Sequence, residues 1–181
     1  LVIAASTIDG DLTLTSGNAS GITDTGDVTV GGNFAATTDA SNGVINMGTL
    51  KVDGTIALTT DGTGNATVVN ASGLNLAAST VGGTLSATAT TGNITQSGVL
   101  TITGATTLVT SANDATITLG STNAFTGALT ITTNDASGTD ADVVIDNGTT
   151  ALIIAASTID GDLTLTSGHA SGITDSGDVT V

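Results

Sequence analysis

The sequence predicts an all-β chain wound as a single-stranded parallel β-helix, with right-handed coils of about 22–25 residues and three short strands each. Three observations lead there. The residues are strand and turn formers: Thr, Val, Ile and Gly are abundant, and Pro is absent from all 181 positions. β-Branched side chains favour strands, and a stack in which every interior strand N–H is paired has no place for Pro. A short apolar-x-Gly-x-apolar-x-apolar motif recurs along the chain. A much longer segment then returns nearly unchanged.

The long repeat is LVIAASTIDGDLTLTSGNASGITDTGDVTV at Leu1–Val30, which comes back at Leu152–Val181 with three differences: Val2 against Ile153, Asn18 against His169, and Thr25 against Ser176. The offset is 151 residues. The expected organisation is one continuous solenoid over 1–181, with 1–151 as one large tandem unit of about six coils and 152–181 as the start of the next copy. The opening carries no initiator Met and no basic-then-apolar leader, so the chain is expected to be a segment of something longer.

The short motif begins as Ile8-Asp-Gly10-Asp-Leu12-Thr-Leu14. It recurs at Val30-Gly-Gly32-Asn-Phe34, Val52-Asp-Gly54-Thr-Ile56, Val81-Gly-Gly83-Thr-Leu85, Ile102-Thr-Gly104-Ala-Thr106, Phe125-Thr-Gly127-Ala-Leu129 and Ile159-Asp-Gly161-Asp-Leu163. The starts are evenly spaced except after Val52 and after Phe125, where the interval lengthens, so two units carry apparent insertions. The motif Gly marks a sharp bend where a Cβ would crowd. One strand precedes each motif, as in Val28-Thr-Val30 and Leu100-Thr-Ile102, and the motif's own alternation is the second. A third apolar piece comes before a Gly turn, at Ile22, Val44-Ile45, Val68-Val69, Ile94, Ile117 and Val143-Val144-Ile145. Such a unit buries its apolar face only against copies of itself. Leu12, Phe34, Ile56, Leu85, Leu129 and Leu163 share one motif position and are expected to face inward. A β-sandwich could use the same strands, but its antiparallel pairing needs no common period.

Composition excludes several functions. There are 16 acidic residues, all Asp, against Lys51 alone among Lys and Arg, for a net charge of −15. Duplex nucleic acid binds through Lys and Arg that displace counterions, so it is not a partner. Cys is absent, which removes disulfides and thiolate metal sites. The longest apolar runs, such as Leu152 to Ala156, are far too short to span a bilayer, so no membrane insertion is expected. Disorder is disfavoured, because hydrophobic residues make up 39% and charged ones only 9%, the reverse of the disordered pattern.

With these repeats in view, the whole chain resembles the β-helix repeats of filamentous-haemagglutinin-like exoproteins and giant bacterial adhesins. The resemblance rests on LTIT, LTLT and GNIT runs, Thr/Asn/Gly richness and the absence of Cys. It implies export to the bacterial cell surface and use as a stalk, fibre or biofilm-matrix element.

No enzyme is expected. A Ser nucleophile needs a positioned base, and the one His, His169, is replaced by Asn18 in the other copy. Pectate-lyase-like β-helices act on acidic sugars with cationic residues that this chain lacks. No cofactor is required. Calcium is the ligand the oxygen-bearing side chains would suit: Asp9 and Asp11 flank Gly10, Asp160 and Asp162 flank Gly161, Asn33 stacks on Asp11, and Asp135, Asp140 and Asp142 lie in the enlarged unit. The competing expectation is that these are solubilising turn residues. The position after each motif start reads Asp9, Gly31, Asp53, Gly82. In a stack this would separate the charges by about 10 Å, roughly one Debye length at 0.1 M salt.

Outward Thr residues, among them Thr13, Thr15, Thr37, Thr59, Thr88, Thr107, Thr130, Thr132, Thr164 and Thr166, form a ladder broken by Ala35, Ala57 and Ser86. The expected function is an extracellular structural repeat. Its partners would be neighbouring repeats, other copies joined end to end through open coil edges, and surface glycans. The alternative is a binding module that uses a flat Thr/Asp face for glycan, calcium or ice.

Overall fold

A computed structural model describes residues 1–134 and 139–181. The described residues form about eight turns of a β-solenoid and contain no helix. Strands pair in parallel in two long sheets, each strand lying over one from the preceding turn. The register runs Val2, Thr23, Asn46, Thr67, Ser86, Thr107, Thr130. The next step runs from Leu129 to Ile154 and is longer. The coil between Thr67 and Ser86 is shorter than the sequence leads one to expect.

This register corrects the count of coils in the large unit. Val2 is the first of seven stacked positions, ending at Thr130, before its copy Ile153 appears. Seven coils, rather than about six, thus fill the large unit. The reason lies in which side of the coil carries the long strand. In the first three coils the five-residue strands Leu12–Ser16, Phe34–Thr38 and Thr55–Thr59 lie in one sheet. Two short strands per coil, such as Ile22–Asp24 and Val28–Val30, lie in the other. In the third coil that short pair has fused into Ile45–Val52, with a register shift between Met47 and Leu50.

From there the sides exchange. The five-residue strands Ala66–Asn70, Leu85–Ala89 and Thr106–Thr110 now occupy the sheet that held the short pairs. The opposite sheet holds the short pairs Leu74–Leu76 with Ser79–Val81, and Ile94–Gln96 with Leu100–Ile102. At Leu152–Ile154 and Ser157–Thr158 the first arrangement returns. The long motif intervals, from Val52 to Val81 and from Phe125 to Ile159, are therefore not insertions into one coil. Each is one full coil plus a step to the next side.

All six residues sharing the motif position pack inward: Phe34, Ile56, Leu85 and Leu129 are buried, and Leu12 and Leu163 pack half-buried against the core at the two ends. They do not form one file. Leu12, Phe34 and Ile56 stack and continue to Leu76, whereas Leu85, Thr106 and Leu129 stack in the other sheet and Leu163 lies over Val143. Each buried Leu or Ile in such a file contributes about 1.5–3 kcal/mol. The solenoid's stability is the sum of these layers.

The motif glycines are needed because the chain below comes close, not because the backbone bends sharply. Of them only Gly161 has a positive φ, 127°. A Cβ on Gly54 would lie 2.6 Å from the Gly32 carbonyl and 2.6 Å from Asn33 Oδ1. Gly10, with no coil beneath it, has open space.

One residue in the inward file of the motif is polar. Thr106 lies between Leu85 and Leu129, is fully buried, and its hydroxyl has no hydrogen-bond partner. An unpaired buried hydroxyl costs about 1–3 kcal/mol, and Val has the same shape. Thr106→Val should therefore raise the melting temperature by a few degrees in a calorimetric scan.

Candidate functional site

Three of the side chains that the sequence marks as calcium candidates, Asp11, Asn33 and Asp142, sit at coil corners, where each accepts a bond from the coil above. Asp11 Oδ1 accepts the backbone N–H of Asn33 at 2.7 Å, so Asn33 does stack on Asp11. Asn33 Oδ1 repeats the contact one coil higher, accepting from Thr55 N at 2.9 Å and from Thr55 Oγ1 at 2.9 Å. Asn65 and Asn93 do the same for Thr84 N and Thr116 N. Asp142 Oδ1 accepts from Asp162 N at 2.9 Å. At Gly32, Gly54, Gly83 and Gly161 the missing Cβ leaves the space that the oxygens of Asp11, Asn33, Asn65 and Asp142 occupy.

The remaining candidates are placed differently. Asp9 is exposed, and Gly31 and Asp53 follow above it. The alternation of charge with Gly therefore holds over three coils. Gly82 does not continue it, because the side exchange puts Gly82 over Gly62. Asp140 and Asp162 are exposed, and the Asp160 backbone N–H donates to Thr133 Oγ1 at 2.9 Å. Asp135 lies outside the described residues. Among the described residues no three His, Cys, Asp or Glu side chains gather at one point.

The two copies of the long repeat explain the single histidine. Asn18 Oδ1 accepts from Ser20 N at 2.9 Å, and His169 Nδ1 accepts from Ser171 N at 3.0 Å. Both are exposed turn residues with one shared role. Lys51 lines a shallow surface groove of about 290 Å³ with Asp27, Thr49, Val69 and Thr90, beside the Met47/Leu50 register shift.

The outward Thr ladder is real but divided between the sheets. Thr15, Thr37, Thr59, Thr80 and Thr101 form one unbroken file. On the other sheet two files run side by side: Thr67, Ser86, Thr107, Thr130 and Val69, Thr88, Val109, Thr132. The second surface carries hydroxyls and methyls and no charge across four coils. Neighbouring positions are spaced about 4.8 Å along the axis and about 6.6 Å across the strands.

Four residues that the sequence reading passed over make the side exchange possible. Where a short strand loses its partner above, a buried Asn stands in for it. Asn70 Oδ1 accepts from Val52 N at 2.8 Å and its Nδ2 donates to Val52 O at 3.1 Å. Asn147 does the same for Phe125, at 2.7 and 3.1 Å. Where a long strand is followed by a split pair, a Ser bridges the break. Ser79 Oγ accepts from Leu58 N at 3.0 Å and donates to Ala77 O at 2.9 Å. Ser157 repeats this with Ile131 N and Ala155 O, at 3.0 and 2.9 Å. A signal was present: Ala-Ala-Ser-Thr occurs at 77–80 and 155–158, and also at 4–7.

A family model of repeats of unknown function, DUF5649, matches residues 63–132 and 140–181. No curated protein and no solved structure matches the chain. The matched residues extend over more than half of the sequence, and on that basis the chain belongs to the DUF5649 family of repeats.

Proposed function

We propose that this solenoid is a non-catalytic structural module of a fibre or stalk on the outside of a bacterial cell. The observation that carries the reading is the way the long repeat re-enters the stack. Leu152–Ile154, Ser157–Thr158 and Leu163–Thr166 seat on the seventh coil in the strand arrangement that Val2–Ile3, Ser6–Ile8 and Leu12–Ser16 adopt in the first. A tandem array built this way grows along one axis. A net charge of −15 keeps such rods from clumping sideways. The test is an antibody against the chain applied to intact cells, with electron microscopy of the native protein. Surface labelling of long threads is expected. Labelling only after lysis contradicts the location, and compact particles contradict the fibre.

Within this reading calcium is not needed, because the corner carboxylates act as inter-coil caps. Asp11→Asn keeps the accepting oxygen, as Asn33 does in the next coil, and should melt like the parent with or without calcium. Asp11→Ala removes the cap and should cost about 1 kcal/mol or less at this exposed position. Calcium-dependent stabilisation that Asp11→Asn abolishes would make these side chains ligands instead.

The two uncharged files on Ala66–Asn70, Leu85–Ala89, Thr106–Thr110 and Leu129–Thr132 favour a second reading, a module that binds glycan or ice on that face. Thermal hysteresis that Thr107→Tyr abolishes would support it for ice. Its absence, together with no retention on glycan arrays, removes it.

A further inference from the structure

We infer that Asn42–Gly43 is a self-modifying site, at which the Asn42 amide is converted to aspartate and isoaspartate with loss of ammonia, while the fold holds the chain's other Asn–Gly pair unreactive. The reaction needs only water, so it depends neither on the stalk reading nor on a surface location.

The chemistry begins with the sequence. An asparagine is attacked at Cγ by the backbone nitrogen of the next residue. That nitrogen approaches most freely when the next residue is Gly, which has no Cβ to obstruct it. The chain has two such pairs, Asn42–Gly43 and Asn147–Gly148. The structure gives them opposite surroundings.

Asn42 is exposed and takes the third position of the turn Ala40-Ser41-Asn42-Gly43. The Gly43 N–H donates to Ala40 O at 3.1 Å, and Ser41 and Asn42 have φ of 57° and 56°, which makes a type I′ turn. Two consecutive non-Gly residues in the left-handed region strain this turn, so it opens more readily than a relaxed one. The side chain is already held for attack. Asn42 Oδ1 accepts from Thr63 N at 2.8 Å and from Thr63 Oγ1 at 3.3 Å. A Cβ on Gly62 would strike that oxygen, so Gly62 keeps the approach open. The two donors face the oxygen that takes up negative charge when Cγ becomes tetrahedral, which is the arrangement of an oxyanion hole. No described residue accepts from Asn42 Nδ2, so nothing holds the leaving group.

Asn147 has the same neighbour and none of this freedom. It is fully buried, its Oδ1 accepts from Phe125 N, and its Nδ2 donates to Phe125 O, Thr150 O and Ala151 O. Gly148 N donates to Asp146 Oδ1 at 2.8 Å. Leaving group and attacking nitrogen are both tied.

The step balances with water alone. Gly43 N gives its proton to solvent and bonds to Asn42 Cγ. The Cγ–Nδ2 bond breaks, Nδ2 takes up a proton, and ammonia leaves behind a cyclic imide. Water then opens the imide at Cγ to give aspartate, or at the main-chain carbonyl of residue 42 to give isoaspartate, in which the chain runs through the side chain. Either product adds one negative charge.

Lys51 is the only Lys or Arg, so trypsin cuts the unfolded chain once and separates Asn42 from Asn147. The full-length protein is kept folded in warm, mildly alkaline buffer for weeks, then unfolded, cleaved and weighed by mass spectrometry, with the site located by fragmentation. A second sample is kept unfolded throughout. In the folded sample position 42 should gain the mass of an amide turned to an acid, and position 147 should stay unchanged. In the unfolded sample both should convert at similar rates. Thr63→Val, at an exposed position, removes one of the two donors. It should slow conversion at Asn42 several-fold in the folded protein and leave the unfolded rate as it was. Conversion at Asn42 no faster than at Asn147 in the folded protein, or a Thr63→Val rate equal to the parent's, overturns the inference and leaves the stalk reading as it stood.

Discussion

Ile56→Asp should destroy the stack where it stands. Ile56 is fully buried, with Phe34 below it and Leu76 above. An unpaired carboxylate there costs several kcal/mol, because burial removes its water and nothing on either side replaces it. That is comparable to the whole stability of a typical domain, about 5–15 kcal/mol. Each coil touches only its neighbours, so the loss should be felt first in the coils around Phe34, Ile56 and Leu76. Circular dichroism should show a much lower melting temperature and a broadened transition. Ile56→Val should lose only about 0.5–1.5 kcal/mol. An Ile56→Asp protein that melts like the parent would place position 56 outside the core.

Asn147→Leu should be nearly as damaging, although it adds apolar surface at a fully buried position. Asn147 Oδ1 holds Phe125 N at 2.7 Å, and its Nδ2 donates to Phe125 O, Thr150 O and Ala151 O at 3.1 to 3.2 Å. Leu fills much the same volume and makes none of these bonds. At least two buried backbone groups would then lack partners, at about 1–3 kcal/mol each. Asn147→Asp keeps the acceptor for Phe125 N but loses the donor and buries a charge, so it should not rescue. Hydrogen exchange gives the local reading: the Phe125 amide should lose protection in the Leu variant while the Phe34 amide keeps it. Unchanged exchange at Phe125 would contradict the role given to Asn147.

These residues also mark where the sequence was legible and where it was not. Period-2 apolar alternation, the recurring Gly and the long tandem repeat carry enough information for a parallel β-solenoid, because each comes from a local rule of side-chain direction or close approach. The stacking of Asn33 on Asp11 was legible for the same reason. The side exchange was not. The long stride from Val52 to Val81 reads as a loop insertion when the motif is assumed to stay on one side. Its physical cause, a five-residue strand lying over a split pair, involves different segments of sequence. The Thr ladder was misread as one surface for the same reason. Asn70 and Asn147 look like ordinary turn residues in sequence; only the missing strand above Val52 and Phe125 gives them work. The shared Ala-Ala-Ser-Thr at 77–80 and 155–158 was the one visible trace of the device.

The side exchange fixes a length, and that length can be measured. Seven coils at the strand spacing of about 4.8 Å make each large unit rise about 34 Å, whereas six coils would rise about 29 Å. Chains with one, two and three consecutive large units would be compared by small-angle X-ray scattering, with rod length and cross-section read separately. The structure predicts a constant cross-section and an increment of about 34 Å per unit. A cross-section that grows with unit number, or an increment of only about 29 Å, would contradict it.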